Sequence, residues 1–448
     1  FIPEFGRIVA MMQFNMYHAF TVDEHTIQCI RNLAEIEARN LLEDLPIASE
    51  ILAGDINRRI LYVSLFLHDL GKGLPDDHSE VGAKISESLA PRLGLKPEES
   101  EIVVWLVKNH LLMSDIAQKR DITDTRTVTD FAQQVKSTAK LKLLTVLTVC
   151  DIRGVSPDSW NNWKAVLLRE LYAQTLAILT EGSMSISRPE RIKSAKTAIG
   201  SHLKNLSSAD KEVILNRHYE SFWLGLDADT KLCLIELLQN IGAEPIQVKI
   251  VTDSQRDANR ICCVLEDHPG IFARLTGAIA VIGVNIVDAR TYTTRDGFAT
   301  AVFWVQNKNE EPFEAQFLNK VGKSIKNSLL GKVVPKNILD EKGKYPRTER
   351  KFKVPTTVTF DNLGSDIYTI IEVDTRDRIG LVHDLANTLY KNNISIFTAI
   401  IATYGEQAVD TFYVKDLFGL KLHSKTKQEK ILQYLREAIE VGAKKAMK

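Results

Sequence analysis

Residues 61–72 read LYVSLFLHDLGK and residues 141–151 read LKLLTVLTVCD. Each is a strongly apolar run that ends on ionisable side chains: His68 and Asp69 in the first, Asp151 in the second. A carboxylate or imidazole at the inner end of a buried helix needs a partner, because desolvating it alone costs several kcal/mol. A divalent metal ion is one such partner. A hydrogen bond within the core is the other, and for His68 and Asp69 alone the two readings stand side by side. At a helix end, where Gly71 and Lys72 break the turn, adjacent His and Asp can converge on one ion.

Around these runs the first half of the chain is helical in texture. HTIQCIRNLAEIEAR (25–39), RRILYVSLFLHDL (58–70) and ESEIVVWLVKNHLLM (99–113) repeat apolar positions at three- and four-residue spacing. Short polar breaks separate them, such as GLPDD at 73–77 and SPDS at 156–159. Three further histidines fall in this half in order: His25, His78 and His110. His18 rivals His25 as the first member of the series. His25 is preferred because it lies inside the apolar-periodic helix.

After about residue 245 the texture changes. IQVKIVTD (246–253), RICCVLED (260–267), NIVDARTYTT (285–294) and FATAVFWV (298–305) are short runs rich in β-branched and aromatic residues. GIFARLTGAIAVIG (270–283) between them reads as a helix. The same text then recurs. DHPGIFARLTGAIAVIGVNI (267–286) aligns without a gap to DRIGLVHDLANTLYKNNISI (377–396), so Asp267 falls on Asp377, Gly270 on Gly380 and Asn285 on Ser395. RTYTTRDGFATAVFWV then matches IATYGEQAVDTFYV with a small gap, and Ala301 aligns with Asp410. Such a repeat predicts two copies of one small βαββαβ domain. EKGKYPRTERKFK (341–353) is charged and turn-rich and reads as an exposed linker.

The composition narrows the function. Of 448 residues, Lys plus Arg and Asp plus Glu number 57 each, which argues against broad electrostatic capture of nucleic acid. The five cysteines form no CxxC pair, which fits thiols in a reducing cytoplasm better than a disulfide framework. No apolar run approaches the roughly 20 residues of a membrane span, so neither a membrane nor a nucleic acid is expected as a partner. The opening FIPEFGRIVAMM starts at Phe1 and reads as the interior of a longer protein.

The ordered series EHT, LHDLGK, DDHSEVGA, KNHLL and VCDIRG resembles the HD superfamily of metal-dependent phosphohydrolases. That resemblance implies one metal on His25, His68, Asp69 and Asp151, with His78 and His110 helping to hold a second. Asp69 is then also catalytic. Lys72 neutralises a phosphate oxygen or, on the other reading, is a solvated lysine at a helix C-terminus; Arg153 has the same two readings. Mixed imidazole and carboxylate donors suit Mn²⁺, Fe²⁺, Zn²⁺ or Mg²⁺, and Mn²⁺ or Mg²⁺ is the expected cofactor.

The repeats resemble ACT domains, regulatory modules that bind amino acids near the loop between the first strand and first helix. The resemblance places effector contacts at Asp267, Gly270 and Asn285, and at Asp377, Gly380 and Ser395. Free N–H groups of the helix starting near Ile271 would face a carboxylate. The other reading makes each Asp a helix N-cap. Ile379 stands where the family commonly has proline, which leaves the equivalence of the two sites open.

An HD domain followed by two ACT domains is similar to the bifunctional uridylyltransferase/uridylyl-removing family of bacterial nitrogen control. YHAFTVDEHT, FLHDLGKG, WLVKNHLLMS, PDSWNNWK and NIVDARTYTTRDG support the likeness along the chain. The expected architecture is an all-α HD domain at 1–160, a helical connector at 161–244, ACT domains of ferredoxin-like α+β fold at 245–340 and 366–448, and a linker with a leading strand at 341–365. The implied activity is metal-dependent release of UMP from uridylylated PII signal protein, controlled by glutamine. No glycine-serine plus paired-aspartate nucleotidyltransferase motif precedes His25, so transfer of UMP is expected outside these residues. An alarmone hydrolase with ACT regulation is the alternative. A non-catalytic amino-acid sensor with an HD-type fold is the third reading.

Overall fold

The computed structural model describes residues 2–12, 19–157, 159–181, 188–204, 206–242, 244–307, 309–332, 354–404 and 406–447. They form two compact units, Phe1–Ser185 and Ile186–Lys448. His18 and the linker 341–353 lie outside the described residues.

The first unit is helical: α1 (Pro3–Gly6), α2 (Val22–Glu37), α3 (Pro46–Ala53), α4 (Arg58–Leu67), α5 (His78–Arg92), α6 (Pro97–Lys108), α7 (Leu112–Lys119), α8 (Thr125–Val135), α9 (Thr138–Val155) and α10 (Asn162–Glu181). Local chemistry starts several of them. Asn57, Asp77, Asp124 and Ser137 accept N-cap hydrogen bonds, and Pro46 and Pro97 open α3 and α6. Helix α9 is buried on nearly every side, and α2, α3, α4, α6, α7, α8 and α10 pack around it. Leu168 and Leu171 of α10 are buried in this same core. The stretch 161–244, expected as a connector, is therefore divided: α10 packs in the first unit, and the rest folds with the second.

The second unit opens with α11 (Arg188–His202), α12 (Ser208–Asn216), α13 (Glu220–Gly225) and α14 (Ala228–Gln239). Two similar groups follow. The first is β1 (Ile246–Asp253), β2 (Ala258–Glu266), α15 (Ile271–Ala280), β3 (Asn285–Thr293), β4 (Phe298–Gln306) and α16 (Ala315–Leu329). The second is β5 (Thr357–Asp361), β6 (Thr369–Arg376), α17 (Leu381–Lys391), β7 (Ile394–Tyr404), β8 (Gln407–Asp416) and α18 (Lys425–Met447).

Each group runs ββαββα, which corrects the expected βαββαβ order. The edge strand arrives first because β1 pairs directly with β2 through a short local turn, Asp253 opposite Ala258. Closing so short a loop costs little entropy, whereas a strand after the second helix would close a longer one. All pairs are antiparallel, in the order β1-β2-β4-β3-β7-β8-β6-β5. The two groups meet where Ala289 of β3 pairs with Ala399 of β7. Ile261, Cys263 and Leu265 join a core with α15 and α16, whereas Arg260 Nη1 reaches Thr230 of α14 and its N-cap residue Asp227 on the other face.

Candidate metal centre

The site begins with the turn after α4. His68 is the helix C-cap, and its Nδ1 donates to the carbonyl of Leu65 at 2.7 Å. His110, just past α6, donates from Nδ1 to the carbonyl of Val107 at 2.7 Å. Both bonds satisfy carbonyls that a helix end leaves without an intrahelical partner. A carbonyl can only accept, so the proton of each neutral ring is fixed on Nδ1 and the Nε2 lone pair is left for the site. Gly71 has no Cβ because the His78 carbonyl occupies that space. That close approach seats His78, at the start of α5, against the turn.

All six residues of the series converge. His25 Nε2, from the first turns of α2, lies 3.2 Å from His68 Nε2, 3.1 Å from Asp151 Oδ1 and 3.5 Å from Asp69 Oδ2. His68 Nε2 lies 3.4 Å from Asp69 Oδ2 and 3.7 Å from Asp151 Oδ1. The other oxygen of Asp69, Oδ1, lies 4.0 Å from both His78 Nε2 and His110 Nε2. Asp69 thus stands between two donor groups, one with His25, His68 and Asp151, the other with His78 and His110.

The electrostatics follow from this crowding. Burial alone would lower His68, but the charges of Asp69 and Asp151 outweigh it and pull the ring up to about 9. Burial would raise Asp69; His68 and Lys72 overcome that and hold it well below the usual carboxylate range. Asp151 is also held low against burial, by the hydrogen bond with His25 and the charge of His68. His110 is pushed down to about 4 by burial and then by His68, and burial lowers His78 as well. The two carboxylates thus favour the protonated form of His68, while burial favours the neutral form of His110.

These residues fit a divalent cation. Asp69 Oδ2 is buried and has no well-directed hydrogen bond, although Lys72 Nζ pairs with it at 2.7 Å. A cation would displace the His68 proton and supply the charge the carboxylates lack. Lys72 is thus neither a solvated helix-end lysine nor fully enclosed; it stands at the rim with 18% of its side chain exposed. Arg153 approaches Asp44 Oδ2 at 3.9 Å. Sequence reading missed Cys29, whose Sγ lies 3.5 Å from His25 Nε2. Its position one turn after His25 was the available signal.

The second unit holds a cavity of about 330 Å³ where the two ββαββα groups meet. Asp267 and Gly270 of the first group line it, with Ser395 of the second. Asp267 does not cap α15; its Oδ2 accepts from Thr293 Oγ1 at 2.6 Å, and Gly270, at φ +83°, is the N-cap residue. Asn285, Asp377 and Gly380 do not line this cavity. Asn285 is exposed at the start of β3 opposite Gln306, and Asp377 is half-buried, its N–H donating to the Glu406 carbonyl. Gly380 borders a different cavity, of about 360 Å³, between α17 and α18.

An HD domain model matches residues 22–152, a span that contains the whole series from His25 to Asp151. The chain is 55% identical over 446 residues to the bifunctional uridylyltransferase/uridylyl-removing enzyme of Cereibacter sphaeroides, covering 100% of this chain and 48% of the relative. Its identity to the enzyme of that name from Ruegeria pomeroyi is 53% over 450 residues, 100% of this chain and 50% of the relative. For Azospirillum brasilense the values are 43% over 444 residues, 98% and 48%.

The chain belongs to the bifunctional uridylyltransferase/uridylyl-removing family. It spans about half the length of the curated relatives it matches. Within this family context the buried His and Asp cluster is the centre of an HD domain, a class of domain that binds divalent metals. Among the described residues no helix is long and apolar enough to cross a membrane.

Proposed function

We propose that the chain carries the uridylyl-removing activity: hydrolysis of the phosphodiester that joins UMP to a tyrosine of the PII signal protein. The placing of Asp69 between the two donor groups carries this reading. His25, His68, Asp69 and Asp151 would hold one divalent ion, and His78 and His110, with Asp69, a second. Bound there, divalent ions supply Lewis acidity that acidifies water and polarises a phosphoryl oxygen.

The protein's own groups do the rest. The Nδ1–H bonds of His68 and His110 keep both rings oriented before substrate arrives. Lys72, at the rim, is positioned to meet the negative charge of the phosphodiester while it balances Asp69. In the overall reaction the oxygen of water bonds to phosphorus, the bond from phosphorus to the tyrosyl oxygen breaks, and that oxygen takes a proton. The products are UMP and unmodified PII.

The two ββαββα groups are read as ACT domains that bind glutamine. The Asp267 carboxylate would take the ammonium group, and the open N–H groups at the start of α15 the carboxylate. Control of hydrolysis by glutamine requires roughly 1–3 kcal/mol of coupling between effector and substrate sites. Transfer of UMP from UTP to PII is assigned to parts of the relatives that this chain does not match, and the setting to the cytoplasm.

The test is release of free UMP from uridylylated PII by the purified chain with Mn²⁺ or Mg²⁺, with and without glutamine. Release that glutamine stimulates is expected. Asp69→Ala should abolish it while the circular dichroism spectrum is retained; unchanged release in that variant would remove the assignment. Hydrolysis of an alarmone instead of uridylylated PII would favour the stringent-response alternative.

A further inference from the structure

We propose that Cys233 and Cys262 form a redox-reactive dithiol, a modification site at which hydrogen peroxide closes a reversible disulfide between α14 and β2. The register of α14 on β2 brings the two together. Residues two apart on a strand share a face, so Cys262 lies on the side from which Arg260 Nη1 reaches Thr230 Oγ1 at 2.7 Å. Cys233 follows Thr230 by about one turn on the same side of α14. The two thiols hydrogen-bond to each other. A further turn along, Glu236 Oε2 pairs with Lys249 Nζ at 2.7 Å, and Lys249 stands opposite Cys262 in the β1–β2 pairing. Charged contacts thus bracket the thiol pair on both sides and hold the helix in this register.

The two sulfurs are unequal. Cys262 is fully buried, whereas Cys233 keeps 6% of its surface exposed. The hydrogen bond from Cys262, and then the charges of Lys249 and Arg260, hold Cys233 below the usual thiol range against burial. The same bond, and then burial, raise Cys262. Burial also raises Cys29, Cys150 and Cys263. The thiolate is the nucleophile, so Cys233 attacks and Cys262 resolves. The Cys233 sulfur bonds to one peroxide oxygen, the O–O bond breaks, and the departing hydroxide takes up the proton that Cys233 had released, giving water. The Cys262 sulfur then bonds to that of the Cys233 sulfenic acid, whose hydroxyl leaves with the Cys262 proton as a second water. The two thiols give up two electrons and the peroxide takes both.

The test is treatment of the folded full chain with hydrogen peroxide, then thiol titration after denaturation and non-reducing tryptic peptide mapping. The titre should fall by two of the five thiols and return with dithiothreitol. Mass spectrometry should find the peptide 232–249, which holds Cys233, linked to 261–274, which holds Cys262 and Cys263. Two variants separate those neighbours. Cys263→Ala should keep the linkage. Cys262→Ala should lose it and leave Cys233 as a sulfenic acid that dimedone traps. An unchanged titre in the wild type, loss of thiols without this linkage, or a linked peptide that survives Cys262→Ala would overturn the proposal. The wild-type map decides the matter even where a variant does not fold.

Discussion

His25 Nε2 lies 3.1 Å from Asp151 Oδ1, and so joins the first turns of α2 to the last turns of α9. The contact binds the two ends of the residue series into one centre. Around it the buried carboxylates are balanced by His68 and Lys72, and the rings of His68 and His110 are held by main-chain carbonyls. The geometry of this cluster makes several expectations specific.

Gly71 lets the turn after α4 press against α5. Gly71→Ala would drive a methyl group into the His78 carbonyl, which is backbone and cannot rotate away. The expected cost is about 1–3 kcal/mol of stability, since overpacking forces helices apart. Urea denaturation should show the loss, and Co²⁺ affinity should fall with it because His78 moves from Asp69. A variant of wild-type stability would show that the turn is not tightly seated.

The cavity where the two ββαββα groups meet separates two residues that the repeat alignment treats alike. Ser395 lines it and Asn285 does not. Ser395→Trp should fill the space and weaken glutamine binding at least about tenfold, roughly 1.4 kcal/mol, in isothermal titration calorimetry. Asn285→Ala should leave the affinity close to that of the wild type. The reverse pattern would place the effector elsewhere.

His218 gives the second unit a defined acid response. It is buried, stacked on Phe222 at 3.7 Å, and neither ring nitrogen has a hydrogen-bond partner among the described residues. Burial, and then Arg217 beside it, push the ring down to about 4. An unfolded histidine titrates near about 6.5, so the unfolded chain takes up the proton first as pH falls. The stability is present above about pH 6.5 and is lost toward pH 4, by about 3 kcal/mol in all. His218→Phe should flatten the urea midpoint over that window; an unchanged slope would show that other groups set it.

Asp410 is the converse case. It is buried on β8 and neither of its oxygens has a hydrogen-bond partner among the described residues. Burial, and then Asp377, raise it well above the usual carboxylate range. The folded state therefore keeps the proton longer than the unfolded state, and stability falls as pH rises above the ordinary carboxylate value. Asp410→Ala, matching Ala301 at the aligned position of the first group, should stabilise the protein at pH 7 relative to pH 4. Thermal melts at the two pH values would check this, and equal shifts would contradict it.

Much of this was legible in the residues themselves. The apolar runs ending at His68, Asp69 and Asp151 identified buried ionisable groups, because a desolvated charge is conspicuous in a helical pattern. The alignment of 267–286 with 377–396 identified two copies of one small α+β unit, and each copy does form half of the sheet. Gly270 and Gly380, the aligned glycines of the two copies, both adopt φ +83°.

Periodicity reports which face of an element is buried, and not what it is buried against. Composition and periodicity alone therefore carry the helical and β-rich halves, the repeat and the residue types of the His and Asp cluster. Long-range packing sets the rest: β1 and β5 reach the sheet edges from the front of each group, α10 packs in the first core, and Ser395 lines the cavity where Asn285 does not. The fold also sets which oxygen of Asp69 faces which histidines, and packs Cys29 beside the His25 ring in the space left by Gly154. Those outcomes depend on contacts between segments far apart in the chain, which no local pattern encodes.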